Sequence, residues 1–276
     1  MKWVHFILSH SIFIAFCGVA LAFQTALLMH LEVNIYEYGF IFFATLCSYN
    51  FYWLLCRFSL ANHFSLGLFL RNEFLEIVLL SFSAAGMAWC FAYSHLQLST
   101  LWPAMGLTIL YALPLLPFRF LHFTRRAGVL KTTVLAFTWT YVTAYIPLHK
   151  NVMLMSPAEW FIFTRRFLFM LMLCIIFDSR DIAVDKIRGL RSLATDLSPK
   201  TLRSLIIILF VILFASNFGF HYFGVSIPET IALQLSTIAL LITWYQSTKK
   251  QGYYFYYFIV DGLMLFSALA TYIAAI

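Results

Sequence analysis

Charge is scarce in this sequence. Only 11% of its 276 residues are Asp, Glu, Lys or Arg, where a soluble domain carries about a quarter. Acids are rarer than bases, 11 against 18, which leaves a formal net charge of +7. Glycine and proline are also few, at 11 and 7, and no Gly/Ser or low-complexity tract divides the chain. That excludes a string of modules on flexible linkers and points to one domain over residues 1–276. The five cysteines (Cys17, Cys47, Cys56, Cys90 and Cys174) all fall in apolar runs, and none forms a CxxC pair. A disulfide scaffold or zinc ribbon is therefore not expected, and the thiols read as small buried hydrophobes. The eight histidines show neither HxxxH nor HExxH spacing, so no zinc or haem site is expected.

What is abundant is apolar surface. Hydrophobic residues make up 63% of the chain and aromatics 19%, with 31 phenylalanines and a mean hydropathy of +0.88. A soluble globule of this size cannot hide that much apolar surface, so the solvent is lipid. Runs of about 20 apolar residues predict nine transmembrane helices, over 6–30, 36–57, 74–95, 100–117, 130–149, 157–177, 203–224, 227–247 and 254–276. The fold class expected is an all-α integral membrane protein. The first run has a rival reading as a signal peptide, with Lys2 before it and Ala20-Leu21-Ala22 within it. Its apolar character continues to Leu28, which favours a retained helix.

The basic residues set an orientation. With the N-terminus in the cytoplasm, 15 of the 18 fall on the cytoplasmic side, among them Arg57, Arg71, Arg125, Arg126, Lys131, Arg191, Lys249 and Lys250. The far side receives Lys150, while Arg165 and Arg166 lie within the sixth span. This is the asymmetry of the positive-inside rule, and it predicts a multi-pass protein with a cytoplasmic N-terminus, as in a bacterial inner membrane. The Lys and Arg lie between spans rather than on one face, so nucleic acid is not an expected partner. Tyr253-Tyr254-Phe255-Tyr256-Tyr257 reads as an interfacial aromatic belt.

The segment Asp178-Ser179-Arg180-Asp181-Ile182-Ala183-Val184-Asp185-Lys186 carries the most chemistry. Its three carboxylates stand at i, i+3 and i+7, which puts them on one face if the sixth helix continues through them. Carboxylates gathered at a membrane boundary repel one another, and a divalent cation relieves that. Mg²⁺ takes one or two carboxylates, waters and substrate phosphates, so the pattern suits a Mg²⁺–diphosphate site. A solvated charged loop, with Asp181 and Asp185 offset by Arg180, Lys186 and Arg188, fits the spacing equally well. Between the fourth and fifth spans, Arg119, Arg125, Arg126 and Lys131 are either diphosphate-binding or ordinary topogenic charge.

Residues 178–194, DSRDIAVDKIRGLRSLA, resemble the second aspartate motif of the UbiA family of intramembrane prenyltransferases. Arg180, Asp181, Ile182, Asp185, Gly189, Leu193 and Ala194 fit it. The stretch from Tyr111 to Trp139, and nine spans with the same loop order, resemble the family too. The resemblance implies a bundle of nine transmembrane helices around a central cavity, with Mg²⁺ held by Asp178, Asp181 and Asp185. It implies Asp181, Asp185 and Asn50 as catalytic residues, and Arg180, Arg125, Arg126 and Lys186 as diphosphate-binding ones. The implied partners are a prenyl diphosphate, a small aromatic or lipid acceptor, and membrane lipid.

One departure matters. The family's first motif, NDxxDxxxD, falls on Asn50-Phe51-Tyr52-Trp53-Leu54-Leu55-Cys56-Arg57-Phe58, where only Asn50 matches and Phe51, Leu54 and Phe58 replace acids. Glu73 and Glu76 are the nearby acids that compensate, or they simply favour a helix N-terminus. The expected function is thus transfer of a prenyl group within the membrane. The alternative is a catalytically impaired relative that binds a lipid or isoprenoid or scaffolds membrane partners. A transporter would need paired interrupted helices in symmetric halves, which the sequence does not display.

Overall fold

The computed structural model describes residues 2–60, 71–112, 128–148, 155–188 and 191–276; for residues 2, 58–60, 183–186 and 188 the description is confined to the backbone. Among these residues there is no strand. The helices are α1 (Lys2–Ser9), α2 (Ile12–Leu28), α3 (Ile35–Leu60), α4 (Phe74–Tyr93), α5 (Leu98–Ala112), α6 (Gly128–Thr140), α7 (Pro157–Arg188), α8 (Leu193–Asp196), α9 (Pro199–Gly219), α10 (Ile227–Ser247) and α11 (Asp261–Ala275). A π-helical turn, Tyr141–Tyr145, and a 3-10 turn, Ile146–Leu148, extend α6; a second π segment, Phe255–Val260, leads into α11.

Six helices are long and apolar enough to cross a membrane, and α1 with α2 makes a seventh if the bent pair is one span. The shorter apolar α5 and the 128–148 segment complete the nine apolar segments read from the sequence. The expected fourth span, 100–117, runs past Ala112 into residues outside those described.

Three spans start on the same local chemistry, a serine N-cap followed by proline in the first turn. At Ser156-Pro157 and Ser226-Ile227-Pro228 a glutamate completes a capping box. The Glu159 carboxylate accepts from the Ser156 amide at 2.6 Å, and Glu229 accepts from the Ser226 amide at 2.9 Å. At Ser198-Pro199 the serine hydroxyl accepts from the Thr201 amide at 3.2 Å. These bonds satisfy helix-end donors that lipid cannot.

Two elements depart from the spans expected. The run over 6–30 is not one helix: α1 and α2 meet at 67°. Ser11 sits in the left-handed region at φ 62, which ends the ladder of α1. The fifth run, 130–149, stays α-helical only to Thr140 and then widens into the π turn. That turn lets Thr25 of α2 donate to the Thr143 carbonyl at 2.8 Å.

At 32 residues, α7 is about 48 Å long, well beyond a ~30 Å hydrocarbon layer. It is also the centre of the core. Phe169, Met170, Met172, Leu173, Ile175 and Ile176 are all at most 2% exposed, packed against Leu21 of α2, Trp139 of α6 and Val260 beside α11. Large apolar side chains such as Phe82, Trp89, Ile212 and Phe218 face outward, as lipid contact requires. The first and last spans close the bundle. Gln24 of α2, fully buried, donates to the Ser267 carbonyl at 2.9 Å and to the Thr271 hydroxyl at 2.8 Å on α11.

Candidate functional site

The acidic segment rides on the end of α7, so the helix does continue through Asp178, Asp181 and Asp185. Asp178 accepts a short hydrogen bond from the Thr132 hydroxyl of α6. Thr132 is 1% exposed, and its oxygen also accepts from the Leu193 amide at 3.1 Å. The turn into α8 is therefore clipped between α6 and α7. Gly128 permits that clip. A β-carbon there would lie 2.6 Å from the Ser192 nitrogen and 2.7 Å from its carbonyl oxygen.

Asp181 is engaged by its neighbour. Arg180 Nε and Nη2 donate to Asp181 Oδ1 and Oδ2, both at 2.7 Å, a two-pronged charge-assisted pair. The guanidinium lies over three rings, Phe177, Tyr256 and Tyr257, at 5.2, 5.1 and 5.0 Å from their centroids. That is cation–π distance. The tyrosine run read as an interfacial belt thus also forms an aromatic seat for Arg180. Just outside the last span, Tyr253 stacks on His5 with centroids 5.4 Å apart, and burial raises its phenol above the ordinary range.

Inward from the acids lies a cluster of polar side chains within the apolar bundle. Tyr49 meets Trp139 edge-on at 6.1 Å, and Tyr52 stacks on Tyr111 at 5.4 Å. Asp178 lies within electrostatic reach of Tyr111 and Cys174. Asp261, 7% exposed, lies within reach of Tyr49, Cys174 and Arg180. Asp261 falls within the last apolar run, where an acid is costly unless it serves a purpose, and the structure brings it toward the same cluster as Asp178.

Other residues expected at the site are elsewhere or differently occupied. Asn50 is 2% exposed, and its amide donates to the Leu46 carbonyl at 2.8 Å and to the His10 carbonyl at 3.4 Å. It ties α3 to the break between α1 and α2. Where the family pattern has acids, Phe51 is exposed and Leu54 buried. Glu73 and Glu76 both pair with Arg57, Glu76 at 2.8 Å, bridging α3 to the start of α4. Arg125 and Arg126 lie outside the described residues, as do the side chains of Asp185 and Lys186. A pocket of about 530 Å³, lined by Glu32, Asn34, Glu37 and His95, lies by the α2–α3 turn.

The donor chemistry at the α7 end bears on a metal. Among the described residues no three His, Cys, Asp or Glu side chains gather as a protein-only cage would need. Mg²⁺ characteristically takes one or two carboxylates and completes its shell with water and substrate phosphate. Asp178 and Asp181, two carboxylates one turn apart, fit that use.

No family model matches the chain, and no curated protein matches it. Two solved structures do. A UbiA homolog from Aeropyrum pernix K1 matches with a TM-score of 0.59 at 16% identity, over 97% of each chain. The fold is UbiA-like. A digeranylgeranylglyceryl phosphate synthase also matches, with a TM-score of 0.55 at 15% identity, over 97% of this chain and 95% of that one. The UbiA-like bundle puts the RDIxxD-like segment at the end of its most buried helix. Sequence reasoning missed the partners there: Thr132, Tyr49 and the π-helical tyrosines carry no motif of their own.

Proposed function

We propose that this UbiA-like chain is an intramembrane prenyltransferase, moving a prenyl group from a prenyl diphosphate to a small aromatic or lipid acceptor. The supporting observation is that α7 carries Asp178 and Asp181, with Asp185 on the same helical face, next to the cluster that holds the partly buried Tyr49 and the buried Asp261. In this reading the diphosphate docks at the cytoplasmic end of α7. Asp178 and Asp181, with Asp185, would hold Mg²⁺, whose charge would stabilise the departing diphosphate. Arg125, Arg126, Lys186 and Arg180 take its remaining oxygens. The bond between the allylic carbon and the bridging oxygen breaks, with its electron pair leaving on diphosphate. A new bond forms from that carbon to the acceptor, which loses a proton. The rings of Tyr49 and Tyr111 are suited to stabilising the transient cation, and the surrounding apolar helices exclude water that would capture it. The test is transfer by the purified chain across a panel of donor lengths and acceptors, with and without Mg²⁺. Mg²⁺-dependent product supports the reading; no product from any pair, beside an active UbiA-family control, sinks it.

A second reading has its own support. Phe51 and Leu54 stand in place of acids, and Asn50 is held by the α1–α2 break. A relative that binds a prenyl diphosphate or lipid without turnover would keep the bundle and the Asp178–Asp181 pair. Saturable binding of a prenyl diphosphate with no transfer in that panel would select it.

A further inference from the structure

α1 is a helix that the rest of the protein barely holds. It has eight residues, Lys2–Ser9, and an isolated helix shorter than about 12 residues is marginal in water. Among its described side chains only Leu8 is buried. The His10 carbonyl just beyond it accepts from Asn50 of α3 at 3.4 Å, and the His5 ring stacks on Tyr253 at 5.4 Å. Its last turn is closed locally. The Phe6 carbonyl accepts from the His10 amide at 3.1 Å and from the Ser9 hydroxyl at 3.2 Å. Trp3, Val4 and Ile7, by contrast, face away from the bundle and are 81%, 46% and 39% exposed.

Those three side chains make one face. Trp3 and Ile7 stand one turn apart, with Val4 beside them in an arc of about 100°. His5 points to the opposite side. The helix is amphipathic, and its apolar face is turned outward.

The geometry says what covers that face. α2 alone has 17 residues, the lower end of the length that spans a bilayer, so α1 is not needed to complete the crossing. α1 meets α2 at 67°, and an upright α2 therefore leaves α1 within about 23° of the membrane plane. The stack on Tyr253 sets its height. Tyr253 opens the tyrosine run at the start of the last span, and Tyr257 of that run lies under Arg180 at the end of α7. Trp and Tyr gather at this depth, where the hydrocarbon meets the headgroups. α2 itself turns Phe16 outward, so this side of the bundle meets lipid.

We propose that α1 is an in-plane membrane anchor, its Trp3–Val4–Ile7 face sunk into the headgroup–acyl boundary of the leaflet at the Asp178 end of the bundle. Lipid there supplies the apolar burial that the other helices do not. The anchor is independent of prenyl transfer.

The experiment places a nitroxide at position 3, 5 or 7 of the full-length chain through Trp3→Cys, His5→Cys or Ile7→Cys. The carrier is a nanodisc of phosphatidylcholine with phosphatidylglycerol, and the signal of the unaltered chain, labelled in the same way, is subtracted. Power saturation reads collisions with oxygen, which concentrates in lipid, and with a water-soluble nickel complex. Labels at 3 and 7 should meet oxygen more than nickel, and the label at 5 the reverse. The depths at 3 and 7 should differ by about 2 Å, the rise of four residues inclined at 67°, against about 6 Å for a helix that continues upright. Should a label disturb α1, Trp3→Phe keeps the apolar face and reports by difference. The emission it removes should be quenched more by lipid brominated near the headgroup than by lipid brominated at the chain ends. The proposal is overturned if nickel reaches positions 3 and 7 as freely as position 5, or if their depths differ by the full upright rise. It is also overturned if neither reagent reaches them, as under a second copy of the chain, or if chain-end bromine quenches Trp3 best.

Discussion

At the residue scale, the acidic end of α7 depends on neighbours that the sequence does not flag. The carboxylates were legible because i, i+3, i+7 is a helical face. Thr132 was not, because one threonine on an apolar helix has no pattern around it. Thr132→Val keeps shape and removes the donor to Asp178. Leaving a half-buried carboxylate short of a partner should cost about 1–3 kcal/mol, read as a lower unfolding temperature. Gly128→Ala tests the same clip from the other side. Helix propensity alone would favour alanine by about 1 kcal/mol. The added carbon would instead sit 2.5 Å from Asp196 Oδ2 and 2.6 Å from the Ser192 amide, so net destabilisation of about 1–3 kcal/mol is expected. A stabilised variant would mean that the turn before α8 moves freely. Asp261 belongs to the proposed chemistry: Asp261→Asn keeps the shape and replaces a carboxyl group within reach of Arg180 and Tyr49. Under the transferase reading it should lower kcat/KM at least tenfold with little change in unfolding temperature.

At the scale of elements, long apolar runs made the spans legible, because lipid leaves the backbone no alternative to a helix. The irregular stretches were not legible. A left-handed serine at position 11 and two π segments have no sequence signal strong enough to override an unbroken apolar run. They matter for the site. The break exposes the His10 carbonyl that Asn50 bonds, and the second π segment presents Tyr256 and Tyr257 to Arg180. The fate of Asn50 is the sharpest consequence. A resemblance in the motif implies catalysis; the hydrogen bonds give it a brace. Asn50→Leu should therefore speed hydrogen exchange in α1 and at the α1–α2 junction. If transfer activity falls while exchange there is unchanged, Asn50 acts on substrate instead.

At the scale of the whole molecule, what the sequence could not convey is closure. Residues 24 and 271 are as far apart in the chain as almost any pair, yet Gln24 joins the second helix to the last. The same closure fixes which loops share an end. The turns before α4, after α7 and before α11 carry Arg71, Arg191, Lys249 and Lys250, whereas the opposite end carries His95 and His221. By the positive-inside rule we propose that the first group faces the cytoplasm. This is testable without assuming any activity. Four of the five native cysteines are buried, so single cysteines added to the chain in inside-out or right-side-out vesicles give a readable signal against the native background. Arg191→Cys and Lys249→Cys should react with a membrane-impermeant maleimide only from the cytoplasmic face, and His221→Cys only from the other. The reverse pattern would put Asp178 and Asp181 on the side away from a cytoplasmic prenyl diphosphate pool, and the transferase reading would lose its donor.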